Sequence, residues 1–465
     1  MKFKNTFKNW VFYFIKLIFL RNIFGMPKIP KLAEKIFVVF TLFLSTSALI
    51  PVLIEGGNGG GISSDPYSPK FFMGVYTTTF LLIVAHHKNF VRAAQKDIWI
   101  WLFLGIVLAS ILWTFAPDVT PRRSVLLLGT STFAVYMAMR FTLREQLQLL
   151  ALALGIIIVL SFLFAIGLPK YGLMTVQEGG IHAGSWRGIM THKNILGRLM
   201  VFSSMVFWFV AMSNPIRNIR YRWVPWAGYI LSIVLIVLST SKSALVVFLS
   251  LMLILPLYRS WRKHYNQLIP LMIALILTVG SISILLLDNL PVVADALGKD
   301  LTLTGRTDIW SAMFDLIWER PWFGYGFNAV WRDWDNQVTA YLWRTLAWQC
   351  PYGHNGFMDL LAELGFVGLS VFLLSFITTY FKGIMWLRIT RCIEGIWPLI
   401  YLTYLVMYNI SESTLVETNS IFWIVYVSTV FSLAIEYPQA KSYQYYNSSA
   451  IEEEWMTLKA VTEHK

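Results

Sequence analysis

The chain has 465 residues, of which 57% are hydrophobic, 16% aromatic and only 14% charged, with a mean hydropathy of +0.60. That excludes a soluble globular protein, because the apolar residues fall into long runs rather than at the spacing of amphipathic surface helices. The formal net charge of +13 does not point to nucleic acid either: the 38 Lys and Arg lie mostly in short connections between apolar runs, where orientation in a bilayer accounts for them. Two cysteines, Cys350 and Cys392, are too few for a disulfide framework or a cysteine zinc site.

In chain order, residues 1–34 form a basic segment. Lys2, Lys4, Lys8, Lys16 and Arg21 surround a short apolar run from Trp10 to Leu20. No small-residue cleavage site follows, so the segment reads as an amphipathic helix on the membrane surface rather than a removable signal. Twelve apolar spans are then expected, at 35–54, 71–86, 98–116, 124–139, 147–168, 195–213, 223–238, 243–258, 268–287, 356–381, 396–410 and 420–436. The expected organisation is an N-terminal segment (1–34), transmembrane helices one to nine (35–287), an outer loop (288–355), helices ten to twelve (356–436) and a tail (437–465). The fold class is an all-α polytopic membrane protein with a long helical loop between spans nine and ten.

Sidedness follows from the cations. With the N-terminus inside, the five inner loops carry 14 Lys and Arg and the N-terminal tail 8 more, against 7 in the short outer loops. Both termini are then cytoplasmic, and the segments 55–61, 169–194 and 288–355 face outward. The inner connections are short and basic, so chemistry is expected on the outer face. No internal repeat is visible.

The cations that break the sorting rule are the more informative ones: Lys70, Arg122, Arg123, Lys170, Arg187, Lys193 and Lys242. Arg198 lies within the first turn of span six, on the same helix face as Asn194. Snorkelling to headgroups is the alternative reading for Lys70, Lys170 and Arg198. Lys242, in the tight turn 239–243, joins Arg187, Lys193 and Arg306 in a cationic collar suited to a phosphate or pyrophosphate headgroup.

The long loop holds 7 of the 20 Trp, some of them interfacial belt residues and some available to line a sugar cleft. Ile309, Met313, Leu316 and Ile317 recur at helical spacing and Pro321 ends that helix. At the end of the loop stands His354, directly before span ten, with Asp359 and Glu363 one and two turns on. A surface imidazole bonded to its neighbours is the plain reading. The functional one is a general base acting on an incoming hydroxyl. Asp359 and Glu363 share a helix face and are placed to orient His354 or to pair with Arg306; one helical turn does not set two carboxylates across a glycosidic bond. A metal site would need nearly every outer histidine (His182, His192 and His354), and no HExxH spacing occurs, so no metal is expected.

Several segments resemble the O-antigen ligase and Wzy-type polysaccharide polymerase family: GRTDIW at 305–310, RPWFGYG at 320–326, HNGFMDLLAELGFVG at 354–368, WRGIMTHKNILG at 186–197 and STSKSA at 239–244. The resemblance covers about residues 180–370 and implies a GT-C-like, metal-independent, inverting glycosyltransferase without a cofactor. Its substrate would be a polyprenyl-pyrophosphate-linked glycan, used at the outer face of the bacterial cytoplasmic membrane, where the protein would also contact membrane lipid. Carried over, Arg187 and Arg306 bind the pyrophosphate, and His354 activates the acceptor. Lys242 stands where the family often has Arg or Lys, and Lys193, Asn355 and Glu363 complete the expected substrate-binding set. One departure is that Arg187 and Gly197 are separated by nine residues where some polymerases have ten, and Arg306 lacks a matching Gly.

A polymerase joining repeat units, working with a flippase and a chain-length regulator, is the favoured expectation, with a ligase acting on lipid A core as the alternative. A transporter or flippase is the second alternative. It is disfavoured because spans three, five, seven and nine carry no charge.

Overall fold

The computed structural model describes residues 30–49, 68–176, 183–213, 221–261, 306–390 and 392–463. Among these every regular element is a helix; one isolated bridge joins Leu173 to Trp186. We number the helices α1 (Lys31–Leu44), α2 (Ser68–Ala85), α3 (His87–Ala94), α4 (Trp99–Ala109), α5 (Thr120–Arg140), α6 (Leu143–Gly167), α7 (Pro169–Gly172), α8 (Lys193–Ser213), α9 (Trp223–Leu238), α10 (Lys242–Trp261), α11 (Arg306–Glu319), α12 (Gln337–Leu346), α13 (Gly356–Ile389), α14 (Trp397–Asn409) and α15 (Ile421–Glu463).

Stretches of α6, α8, α10, α13 and α15 are long and apolar enough to cross a bilayer. The α3/α4 pair reaches that length only together, across a 90° bend, and α2 and α9 are apolar but shorter. Eleven of the expected spans fall on described helices, yet α1, α4 and α14 have only 14, 11 and 13 residues, below the roughly 20 of a straight span. The ninth expected span (268–287), the N-terminal basic run, the 55–61 loop, His182 and the first part of the long loop lie outside the described residues.

Beyond α4 the chain is claimed by other partners. Span three was expected to run to 116, but α4 gives way to a 3-10 turn at Ser110–Leu112, and the residues after it pair with the long loop: Phe115 N donates to Tyr325 O (2.9 Å) and Trp113 Nε1 to Phe323 O (3.0 Å). Conversely, α13 runs on to Ile389 and α15 to Glu463, past the expected ends at 381 and 436, so the described part of the C-terminal tail is helical.

The bundle core is aromatic. Phe202 of α8 lies 5.6–6.0 Å from the rings of Trp397, Tyr401, Tyr404 and Phe422, joining α8, α14 and α15. Hydrogen bonds from Trp423 Nε1 to Ser131 Oγ (2.8 Å) and from Tyr426 OH to Ser375 Oγ (2.9 Å) tie α15 to α5 and α13. With no competing water in a bilayer, such bonds and close packing hold helices together where the hydrophobic effect cannot. At one end of the bundle, buried carboxylates hold the basic connections: Glu34 takes Arg140 and Tyr136 (2.7 Å each) and Asp97 takes Lys382 (3.0 Å).

At the opposite end the described part of the long loop, 306–355, folds over the bundle with its own apolar core, in which Ile309, Met313 and Leu316 of α11 meet Leu342 and Trp343 of α12 and Leu361 of α13. The helix expected at 306–320 is thus present. The loop is stitched to α13 at a kink. Gly365 has φ +64°, and a Cβ there would strike the Trp322 backbone. The N–H groups freed by the kink are used at once, Phe366 N donating to Pro321 O (2.7 Å) and Val367 N to Trp322 O (3.1 Å).

Candidate functional site

The loop end of the bundle gathers the start of α8, the start of α11, the segment 350–355, the start of α13 and the connection 411–420 between α14 and α15. His354 sits at its centre, in the left-handed conformation (φ +50°), which costs a non-glycine residue about 1 kcal/mol and needs enforcement from both sides. On one side Asp359 Oδ1 accepts Gly353 N (3.1 Å) and Trp331 Nε1 (2.7 Å), while Gly353 O accepts Trp310 Nε1 (2.9 Å). On the other, Asn355 caps α13, its Oδ1 accepting Phe357 N (3.0 Å) and Met358 N (3.2 Å). The 411–420 connection completes the clamp: Asn355 N donates to Ser413 Oγ (3.1 Å) and Gly356 N to Glu412 O (3.0 Å).

The held imidazole is neutral. Burial, then the Arg306 guanidinium, lowers its pKa to about 4, and its enclosed Nδ1 has no hydrogen-bond partner among the described residues. Its ring packs 4.3 Å from that of Tyr352, whose hydroxyl donates to Glu412 Oε2 (3.3 Å). Burial pushes the Glu412 carboxyl above its usual range, against the pull of Arg198 and Arg306. A proton acceptor beside a fixed cation, in a place that penalises the imidazolium, suits a base that must be unprotonated when its substrate arrives.

The predicted residues divide into three groups. His354, Asn355 and Arg306 lie together, Asn355 next to His354 in the chain and the Arg306 charge acting on its imidazole. Lys193 and Lys242 lie near enough for each to feel the other's charge, and Lys193 Nζ donates to Thr240 Oγ1 (3.2 Å) in the α9–α10 turn. Arg187 and Glu363 differ from the expected free substrate-binding groups. Arg187 is fully buried, and its Nε and Nη2 donate to the carbonyls of Tyr171 (2.9 Å) and Lys170 (3.2 Å), carbonyls left over at the short helix α7. Glu363 accepts from the Asn328 backbone and faces Arg332 and Arg123, so it binds the loop to α13. Asp359 orients the backbone before His354 rather than its ring.

Sequence reasoning passed over Glu412, Glu417 and Arg332 and gave Tyr352 no role. Arg198 was noted only as a misplaced cation, yet its guanidinium stacks on Phe422 (4.8 Å to the ring centre) and lies near Tyr408 (5.9 Å). The available signal was the 411–420 connection itself, SESTLVETNS, with two carboxylates and five hydroxyls in a loop expected on the outer side. Among the described residues no group of three or more His, Cys, Asp or Glu is placed to share a metal ion.

Residues 227–373 match the O-antigen ligase family. The chain is also 22% identical over 327 residues to the exopolysaccharide production protein ExoQ of Rhizobium meliloti (strain 1021), covering 68% of this chain and 72% of that protein. This is the family the motifs resembled, and it is a family of enzymes. With its apolar helices, the chain is a multi-pass membrane protein that is similar to the O-antigen ligase family over residues 227–373. The matched region contains Lys242, Arg306, His354, Asn355 and Glu363; Arg187 and Lys193 precede it.

Proposed function

We propose that the protein is a glycosyltransferase that polymerises polyprenyl-pyrophosphate-linked oligosaccharide repeat units of an exopolysaccharide or O-antigen at the outer face of the bacterial cytoplasmic membrane. The observation that carries this reading is the clamped, neutral His354 beside Arg306, its Nδ1 without a hydrogen-bond partner among the described residues. In the reaction, His354 takes the proton of an acceptor hydroxyl as that oxygen bonds to the anomeric carbon. The bond from that carbon to the pyrophosphate breaks with its electron pair on the leaving group, inverting the centre. Arg306, with Lys242 and Lys193, meets the negative charge that develops there, the task that fixed cations perform without reorganising. The reading includes twelve spans in a GT-C-like arrangement, both termini cytoplasmic, no metal ion, and cooperation with a flippase and a chain-length regulator.

A ligase is the second reading, favoured by the description of the matched family; ExoQ's name favours the first. The test is transfer by the purified protein in nanodiscs with EDTA, given lipid-linked oligosaccharide alone and then with a separate acceptor. Product ladders from the donor alone support polymerisation, and product only with added acceptor supports ligation. The His354→Ala variant is expected to lose about a hundred- to ten-thousandfold in rate. Unchanged activity in that variant refutes the catalytic assignment.

A further inference from the structure

The same end of the bundle contains a cavity of about 80 Å³, bounded by the turn after α1, the first turns of α8 and the 411–420 connection, and joined to Tyr352 and Glu412 through Arg198, which lines it and acts on both. One water needs roughly 10–15 Å³ on this measure, so there is room for about half a dozen, near the space taken by one sugar ring. Its walls are tied in place. Ile421 N donates to Ser45 O (2.8 Å) and Leu49 N to Ile189 O (2.9 Å), and Ser47 and Leu49 both hold positive φ to make the turn.

The polar groups at this cavity are not used up. Arg198 lines it and Phe422 supports the guanidinium from behind; the Arg198 Nε is enclosed and has no hydrogen-bond partner among the described residues. Such an unmet charged donor is costly unless something else supplies an acceptor. The hydroxyls of Ser45 and Thr46 give their protons to the carbonyls of Thr41 (2.8 Å) and Phe43 (2.7 Å), which leaves their oxygens as acceptors. Thr418 accepts from Arg123 (3.1 Å) and keeps its own proton to donate.

Among the lining residues Arg198 is the one cation and Glu417 the one carboxylate. A pyrophosphate would meet Glu417 and several acceptor-only oxygens. A ring bearing several hydroxyls, each both donor and acceptor, can satisfy all of them. We propose that this cavity is a sugar subsite, built on Arg198, which seats the hydroxyl-bearing end of the acceptor glycan and so aims it at His354. The proposal rests on the glycosyltransferase reading for the identity of its ligand as acceptor.

The test is saturation-transfer NMR on the full-length protein in nanodiscs, with lactose, cellobiose and maltose as probes and inorganic pyrophosphate as competitor. At least one disaccharide is expected to bind, about ten- to hundredfold more weakly in Arg198→Gln, as for loss of a hydrogen bond from a charged group. Binding should vanish in Thr191→Met, which fills the cavity while leaving residue 198 an arginine, and persist in His354→Ala. Binding of none of the three, equal binding by wild type and both cavity variants, or displacement by pyrophosphate overturns the sugar subsite. The two readings fail separately. His354-dependent transfer in a protein whose disaccharide signal ignores Arg198 and Thr191 removes the subsite alone, whereas Arg198-dependent binding without any transfer removes the glycosyltransferase reading alone.

Discussion

The depressed basicity of His354 gives a prediction in which charge and hydrogen-bonding shape can be separated at Arg306. The imidazole is moved from 6.5 to about 4 by two causes, burial first and the Arg306 charge second. Arg306 therefore accounts for no more than about half of the displacement, on the order of one unit. Replacing it in Arg306→Gln should raise the pKa of His354 to about 5. At pH 5 the neutral fraction of the base would fall from roughly 90% to roughly 50%. Because the base must be unprotonated, the acid limb of kcat/KM lies near 4 in the wild type and should move upward by about one unit in Arg306→Gln. Arg306→Lys keeps the charge but loses the planar fork, so its limb should stay at the wild-type position while its plateau falls. The assay is initial-rate transfer in nanodiscs from pH 3.5 to 8, with enzyme recovery checked at each end. Folding follows the same sign: unfolded His354 takes up a proton near 6.5 and the folded residue only near 4, so its contribution to stability is full above 6.5 and is lost as pH falls towards 4. If the Arg306→Gln limb overlays that of the wild type, Arg306 does not act on His354 and the account of the neutral base is wrong.

Asp359→Asn should lower kcat about ten- to hundredfold with little change in KM and no loss of folded protein, because the carboxylate that holds Gly353 N and Trp331 Nε1 touches the clamp and not the substrate; an unchanged kcat removes its positioning role. Cys392 is exposed, whereas Cys350 is buried and its thiol is pushed up to about 11, so at pH 8 a membrane-impermeant maleimide should label Cys392 alone, and only in inverted vesicles; labelling from the periplasmic side would reverse the proposed orientation.

The apolar helices were legible because a bilayer offers the backbone no partners, so helices that cross it must advertise themselves in apolar runs. Their ends were not. Whether residues 113–116 continue α4 depends on the carbonyls of Phe323 and Tyr325, more than two hundred positions later, and no local pattern records that pairing. The cations expected on the inner side show a similar limit. Arg140 and Lys382 obey the sorting rule in the sequence, and that rule explained them fully until the structure paired them with Glu34 and Asp97 inside the bundle. A charge can serve orientation and packing together, but composition reveals only the first.

At the site, His354 was legible because a histidine after a glycine, at the end of the longest polar loop, is rare in so apolar a chain. The cations around it could not be ranked in that way, since Arg187, Arg198 and Arg306 all stand at the same end of their segments. What separates them is what lies beside each side chain. Two nitrogens of Arg187 are committed to the carbonyls of Lys170 and Tyr171, so its charge shapes the chain's own backbone. Arg306 instead acts on His354 and Glu412, and Arg198 acts on Glu412 and Tyr352 from the cavity side. Arg306 therefore bears on the neutral base, while the enclosed Nε of Arg198 has no hydrogen-bond partner among the described residues; in the proposed reaction the first meets the leaving group's charge and the second a ligand's oxygen. A transferase that must bring an anion and a hydroxyl to opposite sides of one anomeric carbon needs that asymmetry.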